Sequence, residues 1–305
     1  MSFNHALSVR SDFSIGESLL QIDHIIKQAK DLGYESVALV DTMSVHNIVD
    51  FSNKAKKAGL KPIIGCRLRV YDDPTYRKPA KSTGIKEAPN QMVAIKVYLT
   101  GDKGITSLMK LLTQANTKEN FYYNSRCGWN DIMELEDVVV STGDFFSLWH
   151  HPDAENILEN IVVKFGLANV FNELVPINTP LFDTLNARAL AASRKQGVLP
   201  LVTYPTLYGD DADAESLDVL HAITTQTKMS VGYRPVQAVR DFGFKEPKHL
   251  LARVTEAHGR VVKWNPVSGS ELRDNAILWR DGVKNIETLA GMCLYEFKRC
   301  PCRCL

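Results

Sequence analysis

The sequence has 305 residues, of which 45% are hydrophobic and 23% are charged, enough for one large α/β domain or two smaller ones. Its formal net charge of +1 excludes a general electrostatic attraction for nucleic acid. No apolar run approaches the roughly 18 residues of a membrane span, and the N-terminus lacks a signal-peptide pattern, so we predict a cytoplasmic protein without membrane association.

The first 70 residues alternate short β-rich runs with amphipathic helical patterns. "HALSVRSDF" is typical of a strand, and Ser14 with Glu17 forms an S-x-x-E pattern that predicts the start of a helix, with Glu17 as a capping residue. "SVALV" is nearly continuous in apolar residues, which indicates a parallel strand covered on both faces. A helix from about Val45 to Ala58 follows, with Gly59 as its stop, and then the strand "PIIGCRLRV".

Residues 72–90 are rich in Pro, Lys and Gly and predict a surface loop. Strand and helix patterns then alternate through "QMVAIKVYL", "GITSLMKLLTQAN", "EDVVVST", "NVFNELVPI", "FDTLNARALAASRKQG", "LPLVTY" and "DAESLDVLHAITTQT". Repeated βα units of this kind predict an α/β fold in which the strands close into a barrel, with functional side chains at their carboxyl ends. From about Asp241 the pattern is mainly helical.

A family resemblance rests on several of these segments in order. "VALVDTMSVHNIVDFSNKAKKAGLKPIIGCRLRV", "TGDKGITSLMKLLTQA", "NVFNELVPI", "LPLVTYPTLYGDDADAESLDVLHAITTQTKMS" and "GVKNIETLAGMCLYEFKRC" resemble the N-terminal PHP (polymerase and histidinol phosphatase) domain of C-family DNA polymerases. The type member of that family is the DNA polymerase III alpha subunit, a DNA-directed nucleotidyltransferase. The resemblance implies a distorted, TIM-like, seven-stranded β/α barrel over residues 1–268. A helical segment over residues 269–305 would lead toward a palm domain.

The resemblance also implies where a metal site would lie. Active members bind Zn, Mn or Mg with a cluster of His, Asp, Glu and Cys, and use it to cleave phosphoesters. Only three of the corresponding positions hold a carboxylate and none holds a histidine, because His5 is one place off and points to the other face of its strand. The positions in this chain are Ala6, Ser8, Arg10, Glu17, Asp41, Thr42, Arg67, Ala94, Asp144, Pro205 and Leu207.

Two arginines argue against a metal at these positions. Three carboxylates could hold a magnesium ion, but Arg10 and Arg67 are fixed cations that repel a divalent ion. We interpret the guanidinium groups as replacements for the metal, acting as counter-charge to Asp41 and its neighbours. We therefore predict a vestigial site with no catalytic residue, no bound metal and no cofactor. An alternative role for Asp41 is to cap the helix that follows it.

Two further clusters resemble metal sites only superficially. His150, His151 and Asp153 lie in "LWHHPD", but adjacent histidines in a loop usually point apart. The tail "RCPCRCL" places Cys300, Cys302 and Cys304 at alternate positions, whereas zinc ligand pairs are usually separated by two or more residues. An oxidation-prone terminus is the preferred interpretation of these cysteines.

The sequence contains no palm aspartate motif, so we expect that this chain by itself does not polymerise DNA. The resemblance implies a structural and partner-docking module in DNA replication, in a bacterial cell or a virus-infected host. Its implied partners are polymerase palm and fingers, in cis or in trans, and a separate proofreading exonuclease, with DNA reached only through the assembled polymerase. Both a fragment of a larger polymerase and a free-standing subunit fit the sequence. The alternative function is a metal-dependent 3′–5′ exonuclease or phosphoesterase with an altered ligand set.

Overall fold

One curled β-sheet with helices outside it organises the chain. The computed structural model describes residues 4–77, 90–230 and 239–297, with only the backbone for Trp264. Seven strands lie side by side in chain order, and a two-residue strand pairs only with the third. The strands are β1 (His5–Val9), β2 (Ser36–Leu39), β3 (Lys61–Tyr71), β4 (Met92–Leu99), β5 (Cys127–Gly128), β6 (Val138–Ser141), β7 (Val170–Leu174) and β8 (Leu199–Val202).

The helices pack their apolar faces against this sheet or against each other. The first of them buries Ile22, Ile25, Ile26 and Ala29, at the spacing of a single helical face. None of the described helices is long and apolar enough to cross a bilayer. The helices are α1 (Ile22–Asp31), α2 (Ile48–Ala58), α3 (Asp102–Ala115), α4 (Trp129–Met133), α5 (Ala154–Phe165), α6 (Pro180–Gln196), α7 (Ala214–Thr224), α8 (Pro247–Trp264) and α9 (Gly269–Met292).

The sheet is parallel except at β4. β1, β2 and β3 run parallel to one another, as do β6, β7 and β8, whereas β4 is antiparallel to both of its neighbours. The parallel pairing predicted for "SVALV" is confirmed on both of its sides, whereas β4 departs from the parallel arrangement that repeated βα units favour. Parallel neighbours require a long crossover, usually a helix. The surface loop predicted at 72–90 falls largely on residues 78–89, which lie outside the described residues.

The sheet closes at the carboxyl end of its first strand. Val9 forms a parallel bridge with Thr206, in the segment after β8, and Thr206 N donates to Ser8 O at 2.9 Å. Next to this seam, α9 packs on both β8 and β1, and Asn285 Nδ2 donates to Pro200 O at 2.7 Å. The prediction of a distorted seven-stranded barrel with a helical C-terminal region is confirmed, and β5 is a short addition that the sequence did not predict.

The structure corrects the starts of two helices. α1 begins at Ile22 and not at Ser14, because the Ser14 hydroxyl accepts from Thr42 N and donates to Asp41, and so cannot cap a helix. α2 begins at Ile48, three residues after the predicted start. Its end at Gly59 is as predicted, with Gly59 in the left-handed region at φ 81°.

Candidate functional site

Charged side chains meet inside the barrel where β1 and β2 finish, beside the middle of β3, and we call this end of the barrel the rim. Most of them are buried, and only Glu17 and Arg69 have side chains as much as 22% exposed. Four are basic and four are acidic, so their formal charges cancel. This group, the rim cluster, consists of Arg10, Arg67, Arg69, Lys96, Glu17, Asp41, Asp144 and Glu173.

Asp144 is the centre of the cluster. Arg10 Nη2 donates to both carboxylate oxygens of Asp144, at 2.6 and 2.5 Å, and Lys96 Nζ lies 3.1 Å from one of them. Ser8 Oγ and the Phe145 amide also donate to it, at 3.2 and 2.6 Å. Burial raises the pKa of Asp144, but the surrounding cations outweigh burial and hold it well below its usual range. The Asp144 carboxylate is therefore already saturated with donors.

Glu17 is the second anion, at the outer side of the cluster. It accepts from Thr42 Oγ1 at 2.6 Å and from Arg69 Nη2 at 2.7 Å, and Arg10 and Arg67 each approach it to 3.5 Å. Burial raises the pKa of Glu17, but the three guanidinium groups outweigh this effect and lower the pKa to about 2. The interpretation of Glu17 as a helix cap is wrong, because its carboxylate serves these cations instead.

Asp41 is held by hydroxyl and amide groups. Its oxygens accept from Ser11 N at 2.6 Å, from Ser11 Oγ at 2.6 Å and from Ser14 Oγ at 2.7 Å. Burial raises the pKa of Asp41, and these hydrogen bonds together with the more distant Arg10 oppose that rise. Replacement of a metal by guanidinium groups thus describes the surroundings of Asp144 and Glu17 better than those of Asp41.

Three members of the rim cluster, Arg69, Lys96 and Glu173, were not predicted from the sequence. Lys96 Nζ donates to Ser8 Oγ at 2.7 Å and to Glu173 Oε1, and both side chains are almost completely buried. Glu173 also accepts from Ser141 Oγ at 2.8 Å and from Thr203 Oγ1. The available signal was a single charge inside each of the apolar runs "VAIKVYL" and "VFNELV", of opposite sign in the two strands.

The other predicted positions contribute little polar chemistry. Ala6 is half-buried on β1, and Ala94 lies on β4, where its amide donates to Phe146 O. Pro205 and Leu207 are buried after β8, Leu207 within the hydrophobic core. The structure therefore brings together only the polar members of the predicted set, which are Ser8, Arg10, Glu17, Asp41, Thr42, Arg67 and Asp144.

A divalent metal does not fit this donor set. Neither imidazole nor thiolate belongs to the rim cluster, and burial raises the pKa of the neighbouring Cys66 thiol to about 12, so it remains protonated. The lone pairs of Asp144, Glu17 and Asp41 already accept from basic, hydroxyl and amide groups. Across residues 4–77, 90–230 and 239–297, no group of three or more His, Cys, Asp or Glu side chains could hold a metal ion.

The two histidines of "LWHHPD" do not share a site. His151 Nε2 lies 3.0 Å from Asp72 Oδ1, while its Nδ1 accepts from Asp153 N at 3.0 Å. His150 instead approaches Ser147 O at 3.2 Å, and burial lowers the pKa of His150. The cysteines at positions 300, 302 and 304, interpreted as an oxidation-prone terminus, lie outside the described residues.

This protein belongs to the class of curled β/α barrels. Its charged side chains meet at one end of the barrel. The model of the PHP domain family matches residues 6–174, and the chain belongs to that family. It is 28% identical to DNA polymerase III subunit alpha of Yersinia pestis, with 81% of this chain and 22% of the relative covered. It is 25% identical to the corresponding subunit of Borreliella burgdorferi, with 80% and 21% covered. The predicted resemblance to this family of polymerase subunits is confirmed.

The chain spans about a fifth of the length of these curated relatives. Among solved structures, it is similar to an amidohydrolase from Chromobacterium violaceum with bound sulfate and no metal. That similarity has a TM-score of 0.45 and 10% sequence identity, and it covers 71% of this chain and 96% of the other.

Proposed function

We propose that this chain is the PHP domain of a DNA polymerase III alpha-like protein and that it serves replication as a structural and partner-docking module without hydrolytic activity. The observation that carries the proposal is the rim cluster. Arg10 and Arg67 occupy positions where the family resemblance implies metal ligands, and Lys96 adds a third cationic group against the same carboxylate, Asp144.

Hydrolysis by a PHP site requires a water whose pKa a metal has lowered toward neutrality. Guanidinium and ammonium groups offer no lone pair to a metal. Their charges hold the carboxylates that would otherwise serve as ligands, through contacts of 2.5 to 3.5 Å. Disruption of these ion pairs would leave buried charges without partners. The rim cluster therefore also resists any rearrangement that would admit a metal ion. The cluster therefore supports the structural role and counts against the metal-dependent exonuclease or phosphoesterase.

The proposed partners follow from the family. In a polymerase assembly the domain would contact the palm and fingers, in cis or in trans, and a proofreading exonuclease is the second proposed partner. The relatives over which this chain aligns are themselves polymerase III alpha subunits, which supports this class of partner.

Hydrolysis of a phosphodiester dye and of primed DNA, in the presence of manganese, tests the loss of activity. We expect the wild-type protein and Asp41→Asn to give the same background rate, and we expect metal analysis of the purified protein to find less than one equivalent of zinc or manganese. Asp23→Asn, at an exposed aspartate on α1, is the matched control. Manganese-dependent cleavage that Asp41→Asn abolishes and Asp23→Asn preserves would establish the enzymatic alternative instead.

Co-purification tests the docking role independently. The chain, mixed with the polymerase fragment that carries palm and fingers or with the exonuclease subunit, should elute with at least one of them in size-exclusion chromatography. Separate elution from both would contradict a docking role, whatever the hydrolysis assay shows.

A further inference from the structure

Aromatic rings and guanidinium groups alternate in a stack beside the rim. The guanidinium of Arg126 lies between the ring of Tyr71, at 4.7 Å, and the ring of Tyr122, at 4.8 Å. Arg77 lies over Tyr122 at 5.0 Å. The ring of Tyr123 meets Tyr122 edge-on at 4.6 Å and is itself 82% exposed. The stack thus ends in a tyrosine ring that is open to solvent.

Residues 121–124, which we call the aromatic loop, are held in place from below. Arg77 donates to the carbonyl oxygens of Lys118, Glu119 and Phe121 at 2.6 to 3.1 Å, which ties down the segment between α3 and β5. Arg69 reaches Asn124 Oδ1 at 3.5 Å and also donates to Glu17, so the loop stands next to the rim cluster. Its position is therefore fixed by the fold.

The stacked guanidinium groups donate to backbone carbonyl oxygens. Within the described part of the chain, neither Arg77 nor Arg126 lies within ion-pair distance of a carboxylate, and only the more distant charge of Asp73 acts on Arg126. This contrasts with the rim cluster, where every cation faces an anion. A cation on the face of an aromatic ring attracts electron-rich, anionic ligands and makes the ring a better stacking surface.

Tyr123 also has a costly backbone conformation. Its φ is 58°, in the left-handed region that bulky residues rarely adopt. The burial of apolar surface does not offset this strain, because the Tyr123 ring remains largely exposed. Exposure and strain here accompany a ring contact with Tyr122, over which Arg77 and Arg126 lie, and this combination points to a ligand that stacks on Tyr123.

We propose that the aromatic loop binds unpaired bases of single-stranded nucleic acid. Tyr123 and Phe121, which is 47% exposed, would stack with bases, and the charge of Arg77 would attract the adjoining phosphate. A duplex is disfavoured, because the chain's net charge is only +1 and exposed acids at Asp73 and Glu119 interrupt any long phosphate track. This binding goes beyond the expectation that DNA is reached only through the assembled polymerase, and it does not depend on the loss of hydrolysis.

Fluorescence anisotropy of a labelled oligothymidine, titrated with the full chain at low salt, tests the proposal. Tyr123→Asn removes the ring and supplies a residue that tolerates the left-handed backbone. Phe146→Asn is the matched control, because Phe146 is also exposed (54%) and also has a left-handed φ of 54°, but its ring contact is with His150 and not with the guanidinium-stacked Tyr122. We expect Tyr123→Asn to weaken binding at least about fivefold, the lower range for loss of one base–aromatic stack, and Phe146→Asn to leave it unchanged.

Salt dependence and a duplex competitor complete the test. If one or two phosphates are contacted, the logarithm of the binding constant should fall only slowly with the logarithm of the salt concentration. The expected slope is about −0.7 per phosphate contacted on a single strand. Absence of oligothymidine binding, equal loss in both variants, or tighter binding of a duplex would each overturn the proposal. If Tyr123→Asn instead weakens only the co-elution with a polymerase or exonuclease partner, the loop is a protein contact and the nucleic-acid proposal is wrong.

Discussion

At the scale of single residues, Arg10 links the two main anions of the rim cluster. It pairs with Asp144 in a fully buried place and also approaches Glu17. Arg10→Met keeps much of the volume but removes the charge and leaves Asp144 without its bidentate partner. We expect the free energy of unfolding to fall by about 3–5 kcal/mol, the usual cost of breaking a buried pair from one side. Urea denaturation followed by circular dichroism measures this change.

A surface pair provides the comparison for Arg10. Lys54 contacts Asp23 and Asp50 at 2.8 and 2.9 Å, but its partners are largely exposed to water. Lys54→Met should therefore leave the urea midpoint almost unchanged. A loss of stability for Arg10→Met no greater than that for Lys54→Met would show that the rim cluster does not hold the barrel together.

Glu17 predicts a specific acid dependence of stability. Its pKa in the folded protein is about 2, below the ordinary value of 4.5. Its contribution to stability is therefore complete above about pH 4.5 and is lost as the pH falls toward 2. Asp144 acts in the same direction, whereas the raised pKa of Asp41 acts in the opposite one.

Stability measured by urea denaturation between pH 5 and pH 2 tests this dependence. Glu17→Gln should show a shallower decline than the wild type, because the neutral amide has no proton to gain. Glu215→Gln, at an exposed position of α7, controls for the loss of one surface carboxylate. Parallel curves for the wild type and Glu17→Gln would contradict the depressed pKa.

At the scale of secondary-structure elements, α9 covers the seam between the first and last strands. Gly282 faces β8 so closely that a Cβ atom there would lie 3.0 Å from Val202 Cγ2, whereas a Cβ at Gly291 would meet nothing within 4 Å. Gly282→Leu should therefore force α9 away from the sheet and cost about 1–3 kcal/mol, as other overpacked cores do. Gly291→Leu, in the same helix, should be neutral or slightly stabilising, because leucine has the higher helix propensity. Thermal unfolding of the two variants compares them directly, and equal midpoints would contradict this packing.

The succession of strands and helices could be predicted because hydrophobic periodicity is a local property. "SVALV" and "PIIGCRLRV" are long apolar runs bounded by helix patterns, and both form the strands predicted for them. The direction of β4 could not be predicted in this way. A strand buried on both faces has the same apolar pattern whether its neighbours run parallel or antiparallel.

Which side chains pair with each other inside the rim cluster was harder to predict than which residues belong to it. Arg10, Arg67 and Asp144 were found because the family resemblance implies metal-ligand positions at these places in the chain. The pairing of Lys96 with Glu173 joins strands 77 residues apart in sequence, and only the closed barrel brings them together. A buried lysine in an apolar strand does, however, imply a buried carboxylate somewhere, and that reasoning would have directed attention to Glu173.

At the scale of the whole molecule, the fold should not depend on metal. A ligand that binds the native state raises the unfolding midpoint in proportion to the logarithm of its concentration. Because the rim cluster leaves no ligand set for a divalent ion, we expect the same thermal midpoint in EDTA and in excess manganese. Differential scanning fluorimetry measures it. A manganese-dependent rise that Asp41→Asn removes and Asp23→Asn retains would show that an ion binds after all.

The equality of positive and negative groups in the rim cluster also constrains the evolution of this domain. A histidine at position 10 or 67 alone would not create an ion site, and it would leave Asp144 or Glu17 buried with fewer cationic partners. Each single substitution toward a set of metal ligands should therefore lower the stability of the fold. We expect a metal site to require several substitutions made together, whereas the exposed surface can vary freely.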